Sequence, residues 1–198
     1  MKIDGRWFQN KIRSINNKLF HTKAGKWDWE YSHGVWDFLH NESEVPRLET
    51  LSKMITGKPV KTILEIGSGE GLLGKYLPKS AYNHFLGIDI SKEAIEKAKV
   101  YQSAKMIYLP ANMETYKATE SFDLVIFNEC LYYANNPIKL FNRYLQFVRP
   151  SGFIITSIAD HPKHQKLLFK LRKQFNCIQS ETTNTGSGIW HCDVFQKT

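Results

Sequence analysis

From residue 61 onward, short apolar runs alternate with stretches of helical period, and the alternation predicts the elements one by one. "TILEI" (62–66) reads as a buried strand, and residues 71–77 open a helix that Pro78 ends. "HFLGIDI" (84–90) is a second strand. Ser91 then caps "KEAIEKAKV", in which Ala94, Ile95 and Ala98 share a face and Glu93 and Lys97 form an i,i+4 pair. "KMIYL" (105–109) and "FDLVIFN" (122–128) follow as strands, the latter apolar through its middle, as a strand covered on both faces should be. Pro137 starts a helix carrying Ile138, Leu140, Phe141, Tyr144, Leu145 and Val148, and Pro150-Ser151-Gly152 breaks it. "FIITSI" (153–158) is a fifth strand, and Leu167, Leu168, Leu171 and Phe175 mark a last helix. "CIQSE" (177–181) and "IWHCDVF" (189–195) flank a turn-rich connection, 182–188, and read as an antiparallel pair.

Strand alternating with helix demands right-handed crossovers and a parallel sheet with helices on both faces. The expected class is α/β, with a seven-stranded sheet made mixed by its terminal antiparallel pair. The first 60 residues are helical in pattern and include a Trp/Tyr-rich segment, "KWDWEYSHGVWDFL" (26–39). We read residues 1–60 as an N-terminal helical cap on a core of residues 61–198, the 198-residue chain forming one domain.

The candidate chemistry sits where the first strand ends. Gly67-Ser68-Gly69-Glu70-Gly71 follows it directly, and residues 69–74 also spell G-x-G-x-x-G. In an open parallel sheet a ligand lies beyond the carboxyl ends of the strands, and glycines let backbone approach it closely. Asp89, ending the second strand, is placed to accept ribose hydroxyls. A nicotinamide or flavin dinucleotide and S-adenosylmethionine both need that much. Glu65 separates them, since a carboxylate beside the turn repels a pyrophosphate and attracts an ammonium or sulfonium. "YLPANME" (108–114) adds a short polar turn suited to an adenine edge, and "FNECLYY" (127–133) brings polar and aromatic residues to the same rim.

Together E-I-G-S-G-E-G, G-I-D-I-S, A-N-M-E, F-D-L-V-I-F-N-E-C-L-Y-Y and R-P-S-G-F resemble the class I S-adenosylmethionine-dependent methyltransferases over residues 61–158. N-E-x-L-Y-Y, the trailing T-S-I and W-D-W-E-Y…W-D-F-L resemble more narrowly the nodulation N-methyltransferase type and its relatives in polysaccharide and natural-product pathways. The resemblance implies a Rossmann-like class I methyltransferase sandwich. It further implies that Gly67, Ser68 and Gly69 line the methionine portion of the cofactor, with Glu65 near its ammonium. Asp89 would take the ribose diol and Ile90 would pack on adenine. Asn112 stands where an aspartate usually accepts from the adenine amine, Met113 would offer backbone N–H, and the Asn128 carbonyl would face the ammonium.

For the acceptor side, Glu129 is a candidate base or orienting carboxylate, and Tyr132 and Tyr133 are candidate rim aromatics for cation–π contact. His161 and His164 follow the fifth strand, and a histidine base would suit O-methylation. A surface helix start at Pro162 is the competing reading for both. Trp27, Trp29, Tyr31 and Trp36 are expected as a lid or acceptor wall, with His33 among them as a second candidate base; aromatic clusters also serve as core. Gly71 and Gly74 are read as helix-packing positions, and His191 as structural.

Charge changes this picture little. Lys and Arg number 27 against 19 Asp and Glu, a net +8, and much of the excess lies in Lys2, Arg6, Lys11, Arg13, Lys18, Lys23 and Lys26 against Asp4. That keeps RNA open as an acceptor, but no aromatic-basic RNA signature accompanies it, and "NECLYY" replaces an Asn-Pro-Pro-Tyr-type motif. The basic start reads as a surface arm. A catalytically silent partner subunit is the second rival, opposed by the intact Glu65, Gly67, Gly69 and Asp89. Three cysteines without C-x-x-C spacing, no metal-ligand pattern, no secretory start and no apolar run of membrane length point to the cytoplasm. The expected reaction is methyl transfer to an O or N atom of a small molecule, such as a sugar, amino sugar or other metabolite. Nothing in the sequence identifies the acceptor or an oligomeric state.

Overall fold

The computed structural model describes residues 22–198; the basic stretch ahead of Thr22 and the first part of the expected cap lie outside the described residues. Helix α1 (Lys23–Ser32) starts where the Thr22 side chain accepts a hydrogen bond from Gly25 N. Two 3-10 turns, Asp37–His40 and Glu42–Glu44, lead into α2 (Val45–Thr56), whose Leu48, Leu51, Met54 and Ile55 are buried. The sheet follows: β1 (Thr62–Ile66), β2 (His84–Asp89), β3 (Met106–Pro110), β4 (Phe122–Asn128), β5 (Val148–Ala159), β6 (Cys177–Asn184) and β7 (Ile189–Gln196). Helices α3 (Leu72–Tyr76), α4 (Lys92–Ala98), α5 (Pro137–Leu145) and α6 (Pro162–Gln174) make the crossovers.

The strand order is β3-β2-β1-β4-β5-β7-β6, with β3 through β5 parallel and β7 antiparallel to both β5 and β6. The seven-stranded mixed sheet therefore has the expected terminal antiparallel pair. Period-2 alternation divides its side chains between two cores. Ile63, Leu124, Ile126, Ile155 and Val194 pack with α2, α3 and α4 on one face, while Leu64, Ile66, Val125, Phe127 and Ile154 pack with α5 and α6 on the other. The N-terminal α2 thus contributes to the same core as the sheet. Asp193, buried on β7, accepts from Arg172 Nε at 2.8 Å, Arg172 Nη2 at 2.9 Å and Ser180 Oγ at 2.6 Å, which fastens the edge pair to α6. No helix among the described residues is long and apolar enough to cross a membrane.

Two boundaries differ from the sequence expectation. Val148 is not the last turn of α5: the helix ends at Leu145 and Val148 pairs with Phe122, opening β5. Pro150-Ser151-Gly152 lies inside that strand as a local irregularity, with Ser151 at φ 60°, so these residues bend a strand where they were expected to break a helix. The connection after β6 is also shorter than 182–188, because Thr182, Thr183 and Asn184 pair with His191, Trp190 and Ile189. Threonines fit a pleated edge as well as a turn.

The reading of Gly74 as a packing position is met by its surroundings. A Cβ there would lie 2.2 Å from Tyr108 Oη and 2.8 Å from Met106 Sδ. Gly74→Ala is therefore expected to destabilise by about 1–3 kcal/mol despite its better helix propensity. A thermal melt should fall by about 2–4 °C for each kcal/mol, while affinity for S-adenosylhomocysteine stays within twofold.

Candidate active site

Strand order reverses around β1. The chain leaving β1 builds toward β2 and β3, and the later strands build the other way from β4, so a crevice opens beyond the carboxyl ends of β1 and β4. The turn that floors it must be glycine at two places. Gly67 has φ 70° and a Cβ there would lie 2.5 Å from Cys130 Cβ; Gly69 has φ 52° and a Cβ there would lie 2.9 Å from Tyr31 Oη. Gly67 N and Ser68 N both donate to Ile88 O, at 2.8 and 3.0 Å, tying the turn to β2. Asp89 closes the other side: its Oδ2 accepts from Gly69 N and its Oδ1 from Ser91 N, each at 2.9 Å. Burial raises the Asp89 pKa, and these backbone bonds oppose the rise.

A cavity of about 290 Å³ occupies the crevice. Of the residues singled out in the sequence, Gly67, Ser68, Gly69, Asp89, Ile90, Met113, Asn128, Glu129 and Tyr132 line it, as do Trp27, Tyr31, Trp36 and Tyr133. Four stand off it. Asn112 points its Oδ1 to Glu114 N at 2.8 Å, shaping the turn that presents Met113. Trp29 stacks on His33 with ring centroids 4.2 Å apart. His161 is the exposed N-cap of α6, its Nδ1 accepting from Lys163 N at 3.2 Å. Glu65 lies fully buried beneath the floor. Among the other histidines, His164 stacks on Tyr132 at 4.1 Å, and His191 sits 3.7 Å from Asp160.

The aromatic wall is continuous. Trp27 stacks on Trp36 at 5.3 Å and meets Tyr133 edge-on at 5.1 Å, joining α1 to the loop after β4. Polar clasps hold α1 down. Asp28 Oδ1 accepts from Ser91 Oγ at 2.8 Å, Lys97 Nζ donates to Tyr31 O at 3.0 Å and to Glu70 Oε1 at 2.7 Å, and Lys23 Nζ donates to Asn135 Oδ1 at 3.0 Å. His40 also bonds Glu70.

Glu129 holds a left-handed φ of 54°, costly for a side chain with a Cβ. Its half-buried carboxylate accepts from Ser157 Oγ at 2.9 Å, Tyr132 Oη at 3.1 Å and Ala159 N at 3.2 Å. Burial raises its pKa; Arg47 and these three donors pull it back. Glu65 is perturbed further, with a pKa pushed up to about 8, burial outweighing the Asn128 bond and Arg47, while Asp89 adds to the rise. Asn128 Nδ2 donates to Glu65 Oε1 at 2.8 Å, and Glu65 Oε2 has no hydrogen-bond partner.

Sequence reasoning passed over Arg47, Glu44 and Trp190, which also line the cavity. A signal for Arg47 was present: it occupies the stripe that otherwise sends Leu48, Leu51 and Ile55 inward, a charge at a core position of an amphipathic helix.

Comparison with known proteins agrees with this geometry. Residues 64–156 match the methyltransferase domain family. The chain is 28% identical over 175 residues to a ubiquinone biosynthesis O-methyltransferase of Hydrogenovibrio crunogenus, covering 85% of this chain and 70% of that one. It is 24% identical to phosphoethanolamine N-methyltransferase 2 of Caenorhabditis elegans, covering 74% of this chain but 35% of that one. In fold it resembles the N-methyltransferase NodS of Bradyrhizobium japonicum, crystallised with S-adenosylhomocysteine: TM-score 0.71 at 16% identity, covering 88% of this chain and 97% of that one.

Glu65 makes stability depend on pH. Its folded pKa of about 8 exceeds the ordinary 4.5, so between those values the native state holds a proton that the unfolded state has lost. Its contribution is full below the unfolded pKa and is lost as pH rises through the folded one. Relative to Glu65→Gln, the wild type should lose up to about 1.4 kcal/mol per pH unit across that window. Denaturant midpoints of both proteins at several pH values check this; parallel profiles would show that Glu65 titrates normally.

Proposed function

Because this chain is a class I S-adenosylmethionine-dependent methyltransferase, we propose that it carries a methyl group to an oxygen or nitrogen of a small molecule, as a single-domain enzyme of the cytoplasm. The observation that carries the reading is the pairing of a carboxylate-rich glycine turn with an aromatic wall around one cavity. Glu65, Glu70 and Asp89 surround the turn with acceptor oxygens, which offer a pyrophosphate nothing and suit a ligand bearing ammonium and sulfonium charge. When bound, the cofactor supplies an electrophilic methyl carbon on a sulfonium that is already a good leaving group.

In this reading Gly67, Ser68 and Gly69 cradle the amino-acid end, with Glu65 beneath the floor on the side of its ammonium. Asp89 accepts from the ribose diol with the lone pairs that Gly69 and Ser91 leave free. Ile90 and Met113 hold adenine, and Asn112 acts through the turn it shapes. Trp27, Tyr31, Trp36 and Tyr133 exclude water and form the acceptor wall; excluding water strengthens every charge interaction inside. Glu129 faces the acceptor with Tyr132. Its three donors fix the carboxylate, so it orients an acceptor N–H or O–H and takes the proton as the new bond forms. His161 has no part, being a helix cap outside the cavity.

Two variants test the assignment. Asp89→Ala removes the charged acceptor for the ribose and should weaken S-adenosylhomocysteine binding by about 1.5–3 kcal/mol in calorimetry; affinity within twofold of wild type would sink the cofactor placement. Glu129→Gln keeps shape and removes charge. It should leave that affinity near wild type while single-turnover methylation slows by on the order of 10²-fold. An undiminished rate would leave Glu129 as a structural carboxylate.

A further inference from the structure

Helices α5 and α6 cover the side of the sheet away from α2, and their stretch of chain is charged unlike the helices opposite. From Cys130 to Ser180 it carries eight lysines and arginines and one carboxylate, Asp160, on a chain whose total charge is +8. Asp160 is itself engaged by His191 and Gln165. On α4, by contrast, the signs are interspersed: Lys97 reaches Glu70 at 2.7 Å and Glu96 holds Lys99 at 2.6 Å.

Helix α6 displays the excess in one direction. Leu168 and Leu171 are buried, and His164 turns inward to stack on Tyr132. With about 100° between successive residues, the opposite side carries Lys163, Lys166, Lys170 and Lys173, all exposed, with Phe169 among them. Thirteen residues make this stripe about 20 Å long. Of the lysines and arginines on α6, only Arg172 has a carboxylate within ion-pair distance among the described residues, the buried Asp193. Phe169 is a second, independent feature. At 65% exposure it is the most exposed Phe, Tyr or Trp among the described residues, and Lys173 Nζ lies 5.9 Å from its ring centre. Ring and cations therefore share one outward ridge.

We propose that this outer face of α6 seats the protein on an anionic lipid surface, with the lysine ammonium groups among the phosphates and the Phe169 ring entering the layer beneath them. Lysine stems lie along an apolar boundary while their heads stay with the phosphates, and a ring beside them gains by leaving water. Positive charge spread along the whole helix, and not gathered in a pocket, matches a surface whose negative charge is continuous. Nucleic acid would meet the lysines equally well, but would leave Phe169 in solvent unless an unpaired base stacked on it. The stripe starts beside the cavity: α6 is capped by His161, two residues beyond Ala159 on the cavity lining. The proposal stands on this face and not on the cofactor reading.

Sedimentation of the full-length protein with vesicles tests it. Phosphatidylcholine alone is compared with phosphatidylcholine containing about one third phosphatidylglycerol, at about 0.1 M and 0.5 M salt. The basic residues ahead of Thr22 also attract anionic surfaces, so the variants decide. Wild type should bind only the anionic vesicles. The triple variant Lys166→Glu, Lys170→Glu, Lys173→Glu should bind them on the order of 100-fold more weakly at the lower salt, with a smaller loss at the higher. Phe169→Ser should lose about 10-fold at both. These residues line no part of the cavity, so S-adenosylhomocysteine affinity should stay within twofold in every variant. If the triple variant melts early, Lys→Gln at the same three positions replaces it. A wild type that ignores anionic vesicles or binds both compositions alike would overturn the proposal, as would a triple variant that binds like wild type. Undiminished binding by Phe169→Ser would overturn it too, leaving a bare cationic face. A duplex RNA titrated in parallel, and lost by the triple variant, would then identify nucleic acid as the partner of that face.

Discussion

The whole site depends on how closely the chain leaving β1 passes the chain leaving β4. Gly67 and Cys130 are so near that a single methyl at Gly67 would sit 2.5 Å from Cys130 Cβ, and Cys130 Sγ donates to Ile66 O at 3.0 Å. That contact sets the depth of the crevice floor. It brings Asn128 within reach of Glu65, directs Glu129 toward Ser157 and Ala159, and leaves Asp89 facing the turn from the β2 side. The sheet supplies direction through its reversed strand order, and the glycine turn converts direction into a shaped ligand face.

Burial then decides the electrostatics. Glu65, Asp89 and Glu129 all have raised pKa values, and burial is the largest cause in each case. Each is held by short-range donors: an amide for Glu65, backbone N–H groups for Asp89, hydroxyls and one backbone N–H for Glu129. Burial disfavours the charged form of each, so a cation brought into the cavity would pull these carboxylates toward ionisation. Arg47 is the cation already within it, lowering the pKa of both Glu65 and Glu129 through space.

The sheet and the glycine turn at its switch point were legible in the sequence because local chemistry specifies them. Apolar runs of strand length, the Gly67-Ser68-Gly69 turn and the terminal Asp89 each need only their immediate neighbours to be understood. Val148 was misplaced since its apolar side chain fits a helix face and a strand face alike; its pairing with Phe122 is a tertiary fact. His161 and Asn112 sat at the right points of the chain, but their side chains are spent on a helix cap and a turn. Arg47 and Trp190 reach the cavity from 143 positions apart, as shown by the 5.9 Å between them, a proximity no local pattern encodes.

The cavity is assembled from two stretches of chain with different obligations. The glycine turn, Asp89 and Asn128 fall within the span shared with the methyltransferase domain family, 64–156, whereas Trp27, Tyr31, Trp36, Arg47 and Trp190 fall outside it. The clasps between them, Asp28 to Ser91 and Lys97 to Tyr31 O, are hydrogen bonds that use no side chain of the aromatic wall. The wall is therefore a separable part: side chains on α1 and α2 can change the lining of the cavity without altering the backbone turn that forms its floor.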